Sequence, residues 1–139
     1  LLEGQRVASF VFDRLAADTG AGGVSTLVSG RIYRDRVPQG KALPAITVTL
    51  VSAVDTGTIG GLRVFQVALV DVRVVADGLE YPNAIADRVD AVLQNVGGVK
   101  STVTVVELRR DGVQAFIEDD AGKSYAHLIQ TYRSEAYAA

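Results

Sequence analysis

Few side chains in this sequence could do chemistry. His127 is the single histidine in 139 residues, and there is no cysteine. Disulfides, thiolate metal sites and cysteine nucleophiles are therefore excluded together. A metal site on His127 would need carboxylates at helical or turn spacing around it, and a catalytic triad would need a matching serine and aspartate arrangement. The sequence presents neither, so His127 is expected to be structural or at the surface. Glu118-Asp119-Asp120 could be imagined as a divalent-cation site or a paired-carboxylate acid and base. Beside Ala121-Gly122, and without calcium-loop spacing, the three acids read instead as a solvated hairpin tip. Gly20-Ala21-Gly22-Gly23 follows a helical pattern rather than a strand and has no Lys-Ser or Lys-Thr pair, so it is not a phosphate cradle. No cofactor, metal or catalytic residue is expected, and an enzyme would need convergent titratable groups that the chain does not show. The remaining charged feature runs from residue 31 to 41. There Arg31, Arg34, Arg36 and Lys41 stand against Asp35, a local charge of +3 that could meet phosphates, an acidic partner or only solvent.

The whole chain offers no such excess. Fourteen basic and sixteen acidic side chains give a net charge of −2, the wrong balance for a protein whose task is gripping nucleic acid. Hydrophobic residues make up 48% and charged residues 22%, which fits one globular domain over residues 1–139. No apolar run approaches the ~20 residues of a membrane span, and Leu1-Leu2-Glu3 lacks the start of a signal peptide, so the expectation is a soluble chain without a membrane role. Val occupies 22 positions, a bias toward strands.

These residues must be positioned by a small set of elements. Val7, Phe10, Val11 and Leu15 predict a helix over about 4–18, ended by the glycines at 20, 22 and 23, with Phe12 at the edge of its apolar face. Residues 29–44 have no sustained period and read as an extended basic connector, with a short strand possible at Arg31–Tyr33. Ala45–Val54 alternates, placing Ile46, Val48 and Leu50 on one face and Thr47 and Thr49 on the other. Residues 55–61 are too glycine-rich for either period and predict a flexible hairpin loop. The Val-rich run 62–76 predicts a central strand covered on both sides. Pro82 opens a second helix that continues to Val96 and stops at Gly97-Gly98. Three further strands follow at about 101–109, 113–118 and 124–132, with turns at Asp111-Gly112 and at 119–122. The fold class is α+β: a mixed, mostly antiparallel sheet with two helices packed on one face and a C-terminal β-hairpin.

The segment Gly30-Arg31-Ile32-Tyr33-Arg34-Asp35-Arg36-Val37-Pro38-Gln39-Gly40, followed by Ala42-Leu43-Pro44 and a strand, resembles the tail terminator or tail completion proteins of tailed phages. A Leu-Val-Ser-Gly step over 27–30 precedes it, and the later strand, loop, strand, helix and hairpin agree, so the likeness runs through nearly the whole chain. It departs from the common pattern in having Ala45 where an aromatic often follows the proline, and in lacking tryptophan near the end.

The resemblance implies a structural virion protein of the tail and neck, assembled in the bacterial host cytoplasm and belonging to a phage or a phage-like gene transfer particle. Such proteins form a hexameric ring that caps the head-proximal end of the tail tube, ends its polymerisation and joins the head connector. The partners implied are further copies of the chain, the major tail tube protein, and a connector or stopper protein, with DNA passing through the channel unbound. Two segments are then expected to make subunit or tube contacts: Arg31, Tyr33, Arg34, Arg36, Pro38, Gln39 and Gly40 in the connector, and Thr56, Gly57, Thr58, Ile59 and Gly60 in the loop. The arginines would pair with Asp119 and Asp120 of a neighbour. Two other readings stay open: a different ring of the same neck, such as a stopper or adaptor, and a small α+β ligand-binding or dimerisation domain with a pocket between the second helix and the sheet.

Overall fold

The computed structural model of the chain describes residues 3–57, 60 and 63–138. Helix α1 (Glu3–Ala17) is followed by a single turn, α2 (Val24–Leu27), then β1 (Ile32–Arg34), β2 (Ala45–Gly57) and β3 (Arg63–Asp77). Helix α3 (Asn83–Leu93) separates these from β4 (Gly98–Lys100), β5 (Val103–Val105), β6 (Arg109–Asp120) and β7 (Lys123–Ala138). The strands form one mixed sheet in the order β1-β2-β3-β7-β5-β4, in which only β1 and β2 run parallel. Strand β7 is its spine. One side of β7 pairs with β3 from Tyr125 to Ala136, while the other is shared between β6, along Lys123–Arg133, and β5, along Ala136–Ala138.

Both longer helices lie on the same face of this sheet, where the α+β expectation put them. Val7, Val11 and Leu15 of α1 and Val89 and Leu93 of α3 are fully buried against Val48, Val70, Val72, Val74 and Tyr132. Phe12 packs at the margin of this cluster, half-buried. Gly4 sits so close to β2 that a Cβ there would stand 2.6 Å from the Cβ of Ala53, and only glycine permits that approach. Two polar side chains enter the layer between α3 and the sheet. Gln130 Nε2 donates to the Ala86 carbonyl at 2.8 Å, and the Tyr132 hydroxyl lies 2.9 Å from Asp90 Oδ1. These bonds meet the requirement that buried polar atoms find partners. Burial, together with the bond to Asp90, pushes the Tyr132 hydroxyl pKa well above the usual phenol range.

Several expected boundaries are corrected. Asp55, Thr56 and Gly57, expected in a flexible loop, continue β2 and pair with Gln66, Phe65 and Arg63. The reason is a buried relay: Gln66 Nε2 donates to Asp55 Oδ1 while Gln66 Oε1 accepts the Gly4 N–H, so the end of β2 is tied through β3 to α1. Helix α3 stops at Leu93, three residues short of Val96. Gln94 leaves the helical region, Asn95 takes φ +63°, and its N–H donates to the Leu108 carbonyl. The strand expected over 101–109 is broken, because Ser101 and Thr102 both have positive φ and make a reversal between β4 and β5. Asp111-Gly112 is a bulge inside β6 rather than a turn. The hairpin turn after it is only Ala121-Gly122, at φ +50° and +80°, so Asp119 and Asp120 belong to the strand. Central placement of β3 holds, but the face away from the helices is only partly covered: Val67, Leu69, Asp71 and Arg73 are half-buried there.

Candidate functional site

The basic connector is anchored at its start and open in its middle. Arg34 Nη1 donates to Ser9 Oγ at 3.0 Å and Nη2 to Gln5 Oε1 at 3.1 Å, which fastens β1 to α1. Arg31 Nε donates to the Pro44 carbonyl at 3.0 Å, so the two ends of the connector are tied to each other. Tyr33 is half-buried beside them. Asp35 turns the chain at φ +69°, its N–H bonding the Val48 carbonyl. Beyond it Arg36, Pro38, Gln39, Gly40 and Lys41 are exposed. A turn closed by the Lys41 N–H on the Pro38 carbonyl needs φ +83° at position 40, a conformation open to glycine at no steric cost.

Opposite this segment stands the β6–β7 hairpin. Its base is locked on the face away from the helices by a stack of side chains. The Phe116 and His127 rings lie 4.6 Å apart and 9° from parallel, and the Arg73 guanidinium sits 5.8 Å from the Phe116 centroid. His127 Nε2 is 3.0 Å from Glu118 Oε1, and the imidazole is buried. The sole histidine thus serves to hold the hairpin, as a structural role required. At the tip, Asp119 Oδ1 accepts a bond from Ser124 Oγ at 2.5 Å, while Asp120 is exposed.

Between connector and hairpin runs a groove of about 540 Å³. Arg36 and Lys41 line one side, Glu118 and Asp120 the other, with Arg73 and His127 between. The structure therefore brings Arg36 and Asp120 to one groove within the same chain, whereas Arg31 and Arg34 are committed to bonds elsewhere. Thr56 and Gly57 are at the far end of β2, roughly 40 Å from Ala45 at 3.3 Å per residue. Thr58 and Ile59 lie outside the described residues, and Gly60 is in a turn. The two expected contact segments consequently occupy opposite ends of the molecule.

The strand expected over 113–118 lies within β6, which runs longer, from Arg109 to Asp120; what the sequence reading did not single out is that this strand is an open border, exposed along nearly its whole length. The available signal was the charge at both ends of the uncharged stretch Val113–Ile117. Among the described residues, no group of three or more His, Asp or Glu side chains is placed to hold a metal ion. No helix among them is long and apolar enough to cross a membrane. The layer between α3 and the sheet is filled by Ile85, Val89, Leu93, Gln130 and Tyr132. What the site offers is charged, extended surface.

A solved chain described as the virion of a native gene transfer agent particle is similar in fold, with a TM-score of 0.69 at 22% identity, covering 96% of this chain and 97% of that one. A search of curated proteins finds no match. The model of the family described as tail completion protein gp17 matches residues 10–134. The sequence motif at 30–44, the α+β fold and this match lead to one conclusion: the chain belongs to the tail completion protein gp17 family, a family of non-enzymatic structural virion proteins.

Proposed function

We propose that the chain assembles into a hexameric ring at the head-proximal end of a phage-type tail tube, where it ends tube growth and offers a surface to the head connector. The observation that carries this reading is the family match over residues 10–134, joined to a molecule whose connector and β2–β3 end lie on opposite sides. A closed ring needs two different surfaces on each subunit, repeated head to tail. The connector residues around Arg36, Pro38, Gln39 and Gly40 supply one contact region, and the end of β2 at Thr56 and Gly57 with the turn at Gly60 supplies a second. The exposed acids of the hairpin tip, Asp119 and Asp120, offer charge complementarity to a neighbour's connector.

The dimensions fit. A domain of this length has a radius of gyration of about 14 Å, and six such bodies in contact enclose a channel of roughly 35 Å. A subunit of net charge −2 lets DNA through without holding it.

Electron microscopy of the purified protein, alone and with its cognate tube protein, tests the proposal. Rings seated on one end of the tubes are the expected image. Rings that ignore tubes and bind isolated portal complexes would instead make the protein a stopper or adaptor. A chain that forms no ring under either condition would refute the ring.

A further inference from the structure

Strand β6 is an open border. It pairs with β7 on its inner side, no described strand pairs with its outer side, and eleven of its twelve residues are exposed. The direction of its free main-chain groups can be worked out. The Gly78 N–H donates to the Ser124 carbonyl, so Ser124 faces β3, and Asp119 opposite it turns its own N–H and C=O outward. By alternation Val113, Ala115 and Ile117 do the same. At Arg110 the outward N–H is already taken by Gln94 Oε1 at 3.0 Å, which closes that end.

The charges along the strand are ordered. Arg109 and Arg110 stand at one end, beside Asp111 in the bulge, Glu118, Asp119 and Asp120 stand at the other, and Val113–Ile117 between them is uncharged. The bulge at Asp111 removes one step from the ladder, because Arg110 lies opposite Tyr132 and Gly112 opposite Thr131. Counted in ladder steps, Ala115 is the midpoint, five from Arg109 and five from Asp120.

We propose that β6 pairs antiparallel with β6 of a second copy of this chain, about a two-fold axis through Ala115. In that register Arg109 faces Asp120 of the other copy, Arg110 faces Asp119, Val113 faces Ile117, and Gln114 faces Phe116. The faces agree as well. Arg109 and Asp120 lie on the side away from the helices, opposite Arg133 and Lys123, while Arg110 and Asp119 lie on the helix side, opposite Tyr132 and Ser124. Parallel pairing would set each charge against its own kind, and a foreign strand would have to carry both signs at the same spacing. The arginines already touch Glu107, Gln130 and Asp90, and each guanidinium retains further N–H groups for a second acid. About six main-chain hydrogen bonds would form through Val113, Ala115 and Ile117. A two-fold contact closes on itself and cannot build a six-membered ring, so the inference concerns the free chain and does not rest on the ring reading.

Because the chain has no cysteine, Ala115→Cys introduces its sole thiol. Facing residues in a hydrogen-bonded pair have Cα atoms ~5.5 Å apart, within disulfide reach. Oxidation of the full chain carrying Ala115→Cys is expected to yield a covalent dimer, while Ala21→Cys, in the exposed turn after α1, stays monomeric. In sedimentation, Arg109→Asp and Asp120→Arg should each weaken self-association about tenfold, and the two together should restore it to within about threefold. A variant Ala115→Cys that stays monomeric, equal cross-linking through Ala21→Cys, or a double variant weaker than both singles would overturn the pairing.

Discussion

At one border of the sheet, β1 contributes three residues, lies parallel to β2, and is tied to α1 by Arg34 and to the end of its own connector by Arg31. At the opposite border, which it shares with β4, β6 contributes twelve residues and is held by β7 with its outer side bare. Proteins manage sheet borders because unpaired main-chain groups recruit other strands. Here the first border is managed by shortness and side-chain ties, whereas the second has only a bulge and charged ends. The difference sets side-chain ties at the β1 border against open main-chain groups at the β6 border, where self-pairing is proposed. A structural component of a virion needs both, since it must fold as a subunit and still present surfaces to others.

The contrast can be broken or sharpened by substitution. Leu15→Ala removes a fully buried side chain under α1 and should cost about 2–5 kcal/mol of unfolding free energy in urea titration, the largest effect expected. Next comes His127→Ala, which deletes the stack on Phe116 and the contact with Glu118. It should cost about 1–3 kcal/mol and speed amide exchange in residues 113–127 more than in β2. If exchange rises equally everywhere, the hairpin is not a separable unit. Arg34→Ala, at the managed border, loses the bonds to Ser9 and Gln5 and should cost about 1 kcal/mol by the same titration. Val113→Ala, at the open border, should stay within about 0.5 kcal/mol of the parent, because Val113 is half exposed already.

The smallest effect is electrostatic and belongs to the covered side. Asp18 accepts two bonds from Arg88, both at 2.8 Å, and the Val24 N–H, linking α1, α2 and α3. The bonds from Arg88 lower its pKa first, with the Val24 N–H and the nearby charge adding to them against the cost of burial. A carboxylate whose folded pKa is depressed contributes stability that is present above its unfolded pKa, near 4, and is lost as pH falls through the lower folded value. Asp18→Asn should therefore flatten the stability profile below about pH 4 and leave its shape unchanged above it. An unaltered acid limb in thermal melts at several pH values would show that the pair is screened by solvent.

Much of the helix-covered side was legible in the sequence. The four-residue spacing of Val7, Val11 and Leu15 and the alternation of Ile46, Val48 and Leu50 are local signals, and each gave its element. What escaped reading depends on partners far away in the chain. Asp55–Gly57 looks like loop because its glycine is local, but its strand conformation comes from Gln66 and Gly4. Asp111-Gly112 has turn composition, yet it is a bulge because β7 runs past it without reversing. The helix stop at Gln94-Asn95 precedes the glycines that seemed to mark it, since Leu108 captures the Asn95 N–H. At the candidate site, the basic and acidic segments could be named from sequence. That Arg31 and Arg34 are bound within the chain while Arg36 faces the groove could not, since side-chain partners 13 to 29 positions away decide it.

The spine strand has a consequence for how the protein is made. Every strand that β7 joins leaves the ribosome before it does, so β3, β5 and β6 wait for their common partner until β7 emerges. Contacts of such long sequence separation form slowly and late. A nascent chain stalled before Lys123 would expose the inner edges of β3 and β6 together, making it a natural client for chaperones rather than a subunit. Competence to join a particle would then arrive all at once, when β7 docks on β3 and draws β6 and β5 onto its other side.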